Sequence, residues 1–173
     1  MTDLAWWLQN FKQSAFRLET LPEYRVEQEA EWFAEWQRSG TVPELKPDSD
    51  SWCKLIDEAR SSGRHMQRVR LVSSPLTDYE RFELATFRDS VAAGEEIRVC
   101  HRESWERIEI ETDGNPADFW LFDEQTTIML NYDAEGRFQG TKDGVSSICI
   151  RQRDLALEHS IPLADFLART TRQ

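Results

Sequence analysis

Residues 66–123 read MQRVRLVSSPLTDYERFELATFRDSVAAGEEIRVCHRESWERIEIETDGNPADFWLFD, and their pattern decides the fold class. Over 66–73, Val69 and Leu71 alternate with Arg68, Arg70 and Val72, the period of two that marks a strand. Thr77-Asp78-Tyr79-Glu80 has the spacing of a capping box, in which the Thr77 hydroxyl accepts from the Glu80 amide and the Glu80 carboxylate reaches back. The helix it opens runs to Ala93, with Leu84, Phe87 and Val91 as its apolar stripe, assisted by Phe82, and Gly94 as its stop. A second strand follows over 95–101, where Ile97 and Val99 alternate with Arg98 and Cys100. Two strands joined by a helix of about 16 residues imply a right-handed parallel crossover.

The connections after residue 101 are too short for further crossovers. Residues 105–112 alternate as a strand, 113–116 form a turn, and 118–123 make a short apolar strand. Ile128, Leu130 and Tyr132 mark another strand, which turns through Asp133-Ala134-Glu135-Gly136 into 137–141, so these are antiparallel hairpins. Upstream, Leu4, Trp7, Leu8 and Phe11 form a helical stripe. Residues 14–26 read as extended, and helices are predicted over 27–38 and from Asp50 or Ser51 to near Gly63. Downstream, 146–159 is helical, and Pro162 takes a first-turn position ahead of Leu163, Phe166 and Leu167. The expectation is one α+β domain over 1–173. Its mixed sheet of about five or six strands has a parallel β-α-β nucleus (66–101), antiparallel hairpins after it, and helices from both termini packed on it. Within it, 1–62 is mainly helical, 63–145 is the sheet core and 146–173 supplies the C-terminal helices.

Composition narrows the function classes. Seven Trp, nine Phe and three Tyr in 173 residues can build a substantial core. The net charge is −11, with 7 basic and 12 acidic groups in 1–62, 8 and 8 in 63–107, and 6 and 12 in 108–173. An acidic surface repels a phosphate backbone, so direct nucleic-acid binding is disfavoured, while a basic protein partner is compatible. No apolar run approaches the ~18 residues of a membrane span, and the N-terminus lacks the flanks of a signal peptide, so a cytoplasmic location is expected. Cys53, Cys100 and Cys149 are odd in number with no CxxC spacing, which reads as free thiols rather than disulfides or a zinc site.

Chemistry-bearing motifs are sparse. The chain has no GxSxG, no phosphate-binding glycine loop and no GxGxxG. Cys100 and His101 are adjacent on a strand and point to opposite faces, so they are poorly placed to share a metal ion or act as nucleophile and base, and neither a cofactor nor a metal is expected. Two groups of residues remain as candidates. If strands 66–73, 95–101 and 118–123 are neighbours, Arg68, Arg70 and Arg98 emerge on the face opposite Val69, Leu71, Ile97 and Val99. Asp118 and Trp120 share a face, and Tyr79 lies in the helix's first turn near the carboxyl edge of the parallel pair. Such a set can hold an anion or a planar ring. The competing structural reading pairs Arg70 or Arg98 with Asp118 or a helix glutamate and places Trp120 in the core. The second group, Trp6, Trp7, Trp32 and Trp36, is either core or an aromatic partner surface.

Five pieces carry a resemblance: AFRLETLPEY (15–24), RVRLVSSPLTDY (68–79), AAGEEIRV (92–99), ADFWLFD (117–123) and NYDAEGRFQG (131–140). In this order and spacing the chain resembles, over nearly its whole length, an uncharacterised family of small actinobacterial proteins. Its members carry a domain of unknown function and are often encoded beside, or fused to, helix-turn-helix regulators. The resemblance implies a role in cytoplasmic regulation and no established activity. A weaker similarity, of fold only, is to half of a phospholipase D-like domain. Its HxK signature is missing here, since His65, His101 and His159 precede Met66-Gln67, Arg102-Glu103 and Ser160-Ile161. The expected function is a non-catalytic regulatory or protein-interaction module, partnering a helix-turn-helix regulator. The alternative is a small-molecule or anion sensor using the Arg/Trp/Tyr face, followed by an enzyme with an unrecognised site. No feature of the chain sets an oligomeric state.

Overall fold

The sheet is assembled around a strand close to the N-terminus. In the computed structural model, which describes residues 3–42, 50–104 and 118–170, β1 (Ser14–Glu19) lies between β2 (His65–Val72), to which it is parallel, and β4 (Asp118–Phe122), to which it is antiparallel. β2 pairs in parallel with β3 (Glu96–His101), which meets the two-residue β7 (Ile161–Pro162) at one edge. On the other side, β4, β5 (Thr126–Tyr132) and β6 (Phe138–Asp143) form an antiparallel meander. The result is a mixed seven-stranded sheet in the order β6-β5-β4-β1-β2-β3-β7.

The parallel β-α-β nucleus forms as expected. Its helix, here α4 (Asp78–Ala93), starts at the complete Thr77/Glu80 capping box and ends at Gly94, whose φ of 122° suits a residue without Cβ. α1 (Leu4–Asn10), α2 (Ala30–Ser39, preceded by a 3-10 turn at Glu27–Glu29), α3 (Ser51–Ser61) and α4 cover one face of the sheet. α5 (Ser146–Glu158) covers the other, and α6 (Leu163–Thr170) packs beside α4. Core formation follows this division. Phe16, Leu18, Val69, Leu71, Cys100 and Phe119 pack against Cys149 and Ala156 of α5, while Phe11, Trp120 and Phe122 pack under α1 and α3.

Three expectations are corrected. β4 is not a neighbour of β2 or β3, because β1 is inserted between them. Val91 is exposed, since α4 turns Leu84 and Phe87 toward β3 and Phe82 toward α2. Pro162 is paired with Arg98 in β7, and the helix starts one residue later. The strand and turn expected over 105–116 lie outside the described residues. Among the described residues no helix is long and apolar enough to cross a membrane.

Candidate functional site

The face of β1, β2 and β4 that lies under α1–α4 carries charge that is almost wholly removed from water. Register places Arg17 beside Arg68 and Trp120, and Glu19 beside Arg70. Three arginines (Arg17, Arg68, Arg70) and four carboxylates (Glu19, Glu83, Glu95, Asp118) are all buried there, Arg70 at 0% exposure. A buried charge is tolerable only when paired and hydrogen-bonded; each member has a charged partner, while Arg17 Nη1, Glu19 Oε2 and Arg70 Nη2 are buried without a hydrogen bond. Arg68 donates from Nε to Glu95 at 2.8 Å and from Nη1 to Glu19 at 3.0 Å, its guanidinium 5.7 Å from the Trp52 ring centre and 4.9 Å from that of Phe87. Arg70 meets Glu83 at 2.5 Å and the Leu21 carbonyl at 2.7 Å, with its guanidinium 5.1 Å from the Tyr24 ring centre. Arg17 donates to Asp118 at 2.9 Å.

The carboxylates are not equivalent. Burial would raise Glu19, but Arg68, Arg17 and Arg70 more than offset it and hold that carboxyl below its usual range. Burial pushes Glu83 up to about 7 against the opposing pull of Arg70, with Glu19 adding repulsion, and burial likewise raises Glu95 against Arg68. Four carboxylates facing three guanidiniums favour retention of a proton in the cluster.

Asp118 does something further. It accepts from the Thr20 amide at 3.0 Å, the Thr20 hydroxyl at 2.5 Å and the Tyr24 hydroxyl at 2.5 Å. Together with the Arg70 bond to Leu21, this pins residues 20–24 as the chain leaves β1. Arg25 continues the attachment, its amide donating to the Gly136 carbonyl at 2.9 Å and so tying the segment to the β5–β6 turn. Between this segment, α2 and that turn lies a cleft of about 740 Å³. Phe33, Tyr79, Tyr24 and Phe138 line it, and a chain of ring contacts with centroids 5.1–6.4 Å apart joins them, Tyr132 linking Tyr24 to Phe138 from outside the lining. Within it, the Tyr79 hydroxyl donates to Glu29 at 3.1 Å. A second hollow of about 310 Å³, lined by Glu29, Trp32, Trp52 and Arg68, lies on the α3 side.

The structure distributes the sequence-predicted residues as follows. Arg68, Arg70, Asp118 and Trp120 share one face, and Tyr79 stands over it from α4. Arg98 does not join them. It pairs in register with Val69, and on the α5 side it donates to the Ser160 side chain at 2.9 Å and to the Ser160 carbonyl at 2.7 Å. Of the six, Tyr79 alone lines the larger cleft and Arg68 the smaller. Trp120 is buried, stacked on Phe122 and edge-on to Trp52. Trp7 stacks on Phe122, Trp32 and Trp36 pack around Phe82 and Tyr79, and Trp6 is 51% exposed. Cys100 is buried in the α5 core while His101 lies against Phe166 on the opposite side.

A family model described as a domain of unknown function, DUF6879, matches residues 2–168. The chain belongs to this family. No curated protein matches it. In this DUF6879 chain the cleft-lining residues not expected at a site include Tyr24, Glu29 and Phe138. A signal for two of them was present, since Tyr24 ends AFRLETLPEY and Phe138 lies in NYDAEGRFQG, and these two pieces meet at the cleft.

Proposed function

We propose that this DUF6879 chain is a non-catalytic regulatory module of the cytoplasm that recognises a small ligand in the cleft beneath α2. The observation that carries the reading is the contrast between the two polar regions. The arginines of the sheet are closed into ion pairs, whereas the aromatic cleft is open and falls within the ~300–1,000 Å³ range of small-molecule sites. Phe138 stands at its lip 52% exposed, an apolar side chain with little packing to lose. A fragment screen read by NMR tests this reading. Binders should shift the signals of Tyr24, Phe33 and Tyr79, and Phe138→Ala should weaken them without lowering Tm. If no fragment perturbs these signals, the reading is wrong.

A second reading is supported by Trp6, whose exposed ring stands edge-on to Trp7 at 5.1 Å while Trp7 stacks on Phe122 at 5.6 Å. An exposed indole on a rigid base is the residue type favoured as an interface anchor. The partner is then a protein, a helix-turn-helix regulator encoded beside the gene being the first to try. Trp6→Ala should abolish its co-purification without changing Tm, and unaltered co-purification excludes the Trp6 face.

A further inference from the structure

The cleft has a charge as well as a shape. Glu23, Glu27 and Glu29 line it, against Arg25 and Arg137. Arg137 is committed to Asp133 and Glu135, at 3.6 and 3.3 Å, so Arg25 is left against three carboxylates. Glu29 is the innermost of the three, held by the Tyr79 hydroxyl at the point where the Phe33 and Tyr79 rings meet edge to face at 5.6 Å. The lip adds apolar surface, with Val26 and Phe138 both exposed there.

Such a site discriminates by charge. An anion would meet Glu23, Glu27 and Glu29 and would gain nothing from the electron-rich aromatic lining. A neutral ring would gain stacking but bring no charge to Glu29, whose carboxylate would keep only the Tyr79 hydroxyl and the more distant Arg68. A cation gains on both counts, because ring faces attract positive charge and a partly desolvated carboxylate pairs with it strongly. Resting on the cleft reading above, we infer that the ligand is a small organic cation, a protonated or quaternary amine carrying an apolar or aromatic body, with its nitrogen against Glu29 and the ring wall. Burial raises the Glu29 carboxyl above its usual range while its bond from Tyr79 opposes this, and an arriving ammonium would pull it back down.

The test uses the whole chain and three probes of similar shape: benzyltrimethylammonium, benzyl alcohol and phenylacetate. Binding is followed by NMR shifts at Tyr24, Phe33 and Tyr79 together with calorimetry. The cation should bind best and phenylacetate least. Glu29→Gln, which keeps an acceptor for the Tyr79 hydroxyl, should weaken the cation by about tenfold, the loss of roughly one charge-assisted contact, and leave benzyl alcohol unchanged. Phenylacetate binding as well as the cation, or a cation affinity indifferent to Glu29→Gln, overturns the charge assignment while the cleft reading survives, provided Phe138→Ala still weakens binding. If none of the probes shifts these signals, and the wider fragment screen is also silent, both fall.

Discussion

Replacing Arg70 by methionine is the most direct way to ask whether the polar face of the sheet is closed. Methionine follows much of the arginine stem, so the change removes charge more than volume. Lost are the 2.5 Å contact with Glu83 and the donations to the Leu21 and Leu71 carbonyls at 2.7 and 2.8 Å, all at a side chain with no exposure. Breaking one side of a buried pair costs about 3–5 kcal/mol, because the remaining partner stays buried and uncompensated. The cost also depends on pH. Burial already raises Glu83 to about 7 against Arg70, and without Arg70 it rises further. A folded-state pKa above the unfolded value means that the folded chain holds the proton more tightly. That contribution is complete below the unfolded value and is lost as pH rises through the folded one. Arg70→Met should therefore be milder near about pH 5.5 than near about pH 8.5. Each tenfold tightening of the Glu83 proton adds about 1.4 kcal/mol at the alkaline end. Adding Glu83→Leu should recover part of the loss, since the pair is then replaced rather than broken. Urea denaturation followed by Trp fluorescence, with an unchanged m-value, supplies the measurement. A cost below about 1 kcal/mol that is the same at both pH values would refute the closed-pair account.

Three further outcomes are expected. Glu80 is buried and accepts from the Ser73 amide and hydroxyl and the Thr77 amide at 2.8–3.0 Å, so Glu80→Ala should cost about 2–3 kcal/mol in thermal or urea denaturation, against about 1 kcal/mol for Thr77→Ala. Trp120→Ala, which empties a site between Trp52 and Phe122, should cost about 3–5 kcal/mol, whereas Trp6→Ala should stay within about 0.5 kcal/mol; equal costs would misplace the core. Burial pushes the thiols of Cys53, Cys100 and Cys149 up to about 11, 12 and 11, so a disulfide reagent at neutral pH should react slowly with the native chain and with all three thiols after unfolding. One fast thiol in the native chain would contradict their placement.

What was legible in the sequence is what local chemistry dictates. The capping box, the glycine stop after Ala93 and the alternation in 66–73 and 95–101 each depend on residues within a few positions of one another, and the parallel pair follows from them. Arg98 shows the limit. Parity within a strand is readable, so Arg68 and Arg70 share a face, but the phase between two strands is set by pairing, and here Arg68 stands beside Ile97. Matching apolar face to apolar face fails because the face under α1–α4 is apolar on β3 and charged on β1 and β2. Residues 14–26 read as extended, but the central place of β1 in the sheet was hidden for the same reason. Its alternation of Phe16 and Leu18 with Arg17 and Glu19 looks like a half-solvated strand, yet both of its faces are buried and the polar one is matched by charges from β2 and β4. The cleft was less legible still, since its walls come from residues 23–37, 79 and 137–139, brought together only when β1 takes the centre.

A buried ion network of this size needs a reason beyond stability, because a well-packed apolar replacement is often as stable or more so. The bonds at its carboxyl edge suggest one. Besides their bonds to Arg17, Glu83 and Leu71, Asp118 and Arg70 bond to Thr20, Leu21 and Tyr24, three positions that carry the chain out of β1 and into the wall of the cleft. Apolar side chains could fill the same volume, but they could not fix the direction of a peptide carbonyl or a phenol oxygen. In this DUF6879 chain the charged face therefore acts at one remove. It orients Tyr24, the one ring shared by network and cleft, and the segment leading to Glu29. Substitutions at Arg70 or Asp118 mild enough to preserve folding should on this account alter ligand selectivity and the signals of Tyr24 together, whereas those at Phe138 should lower affinity alone.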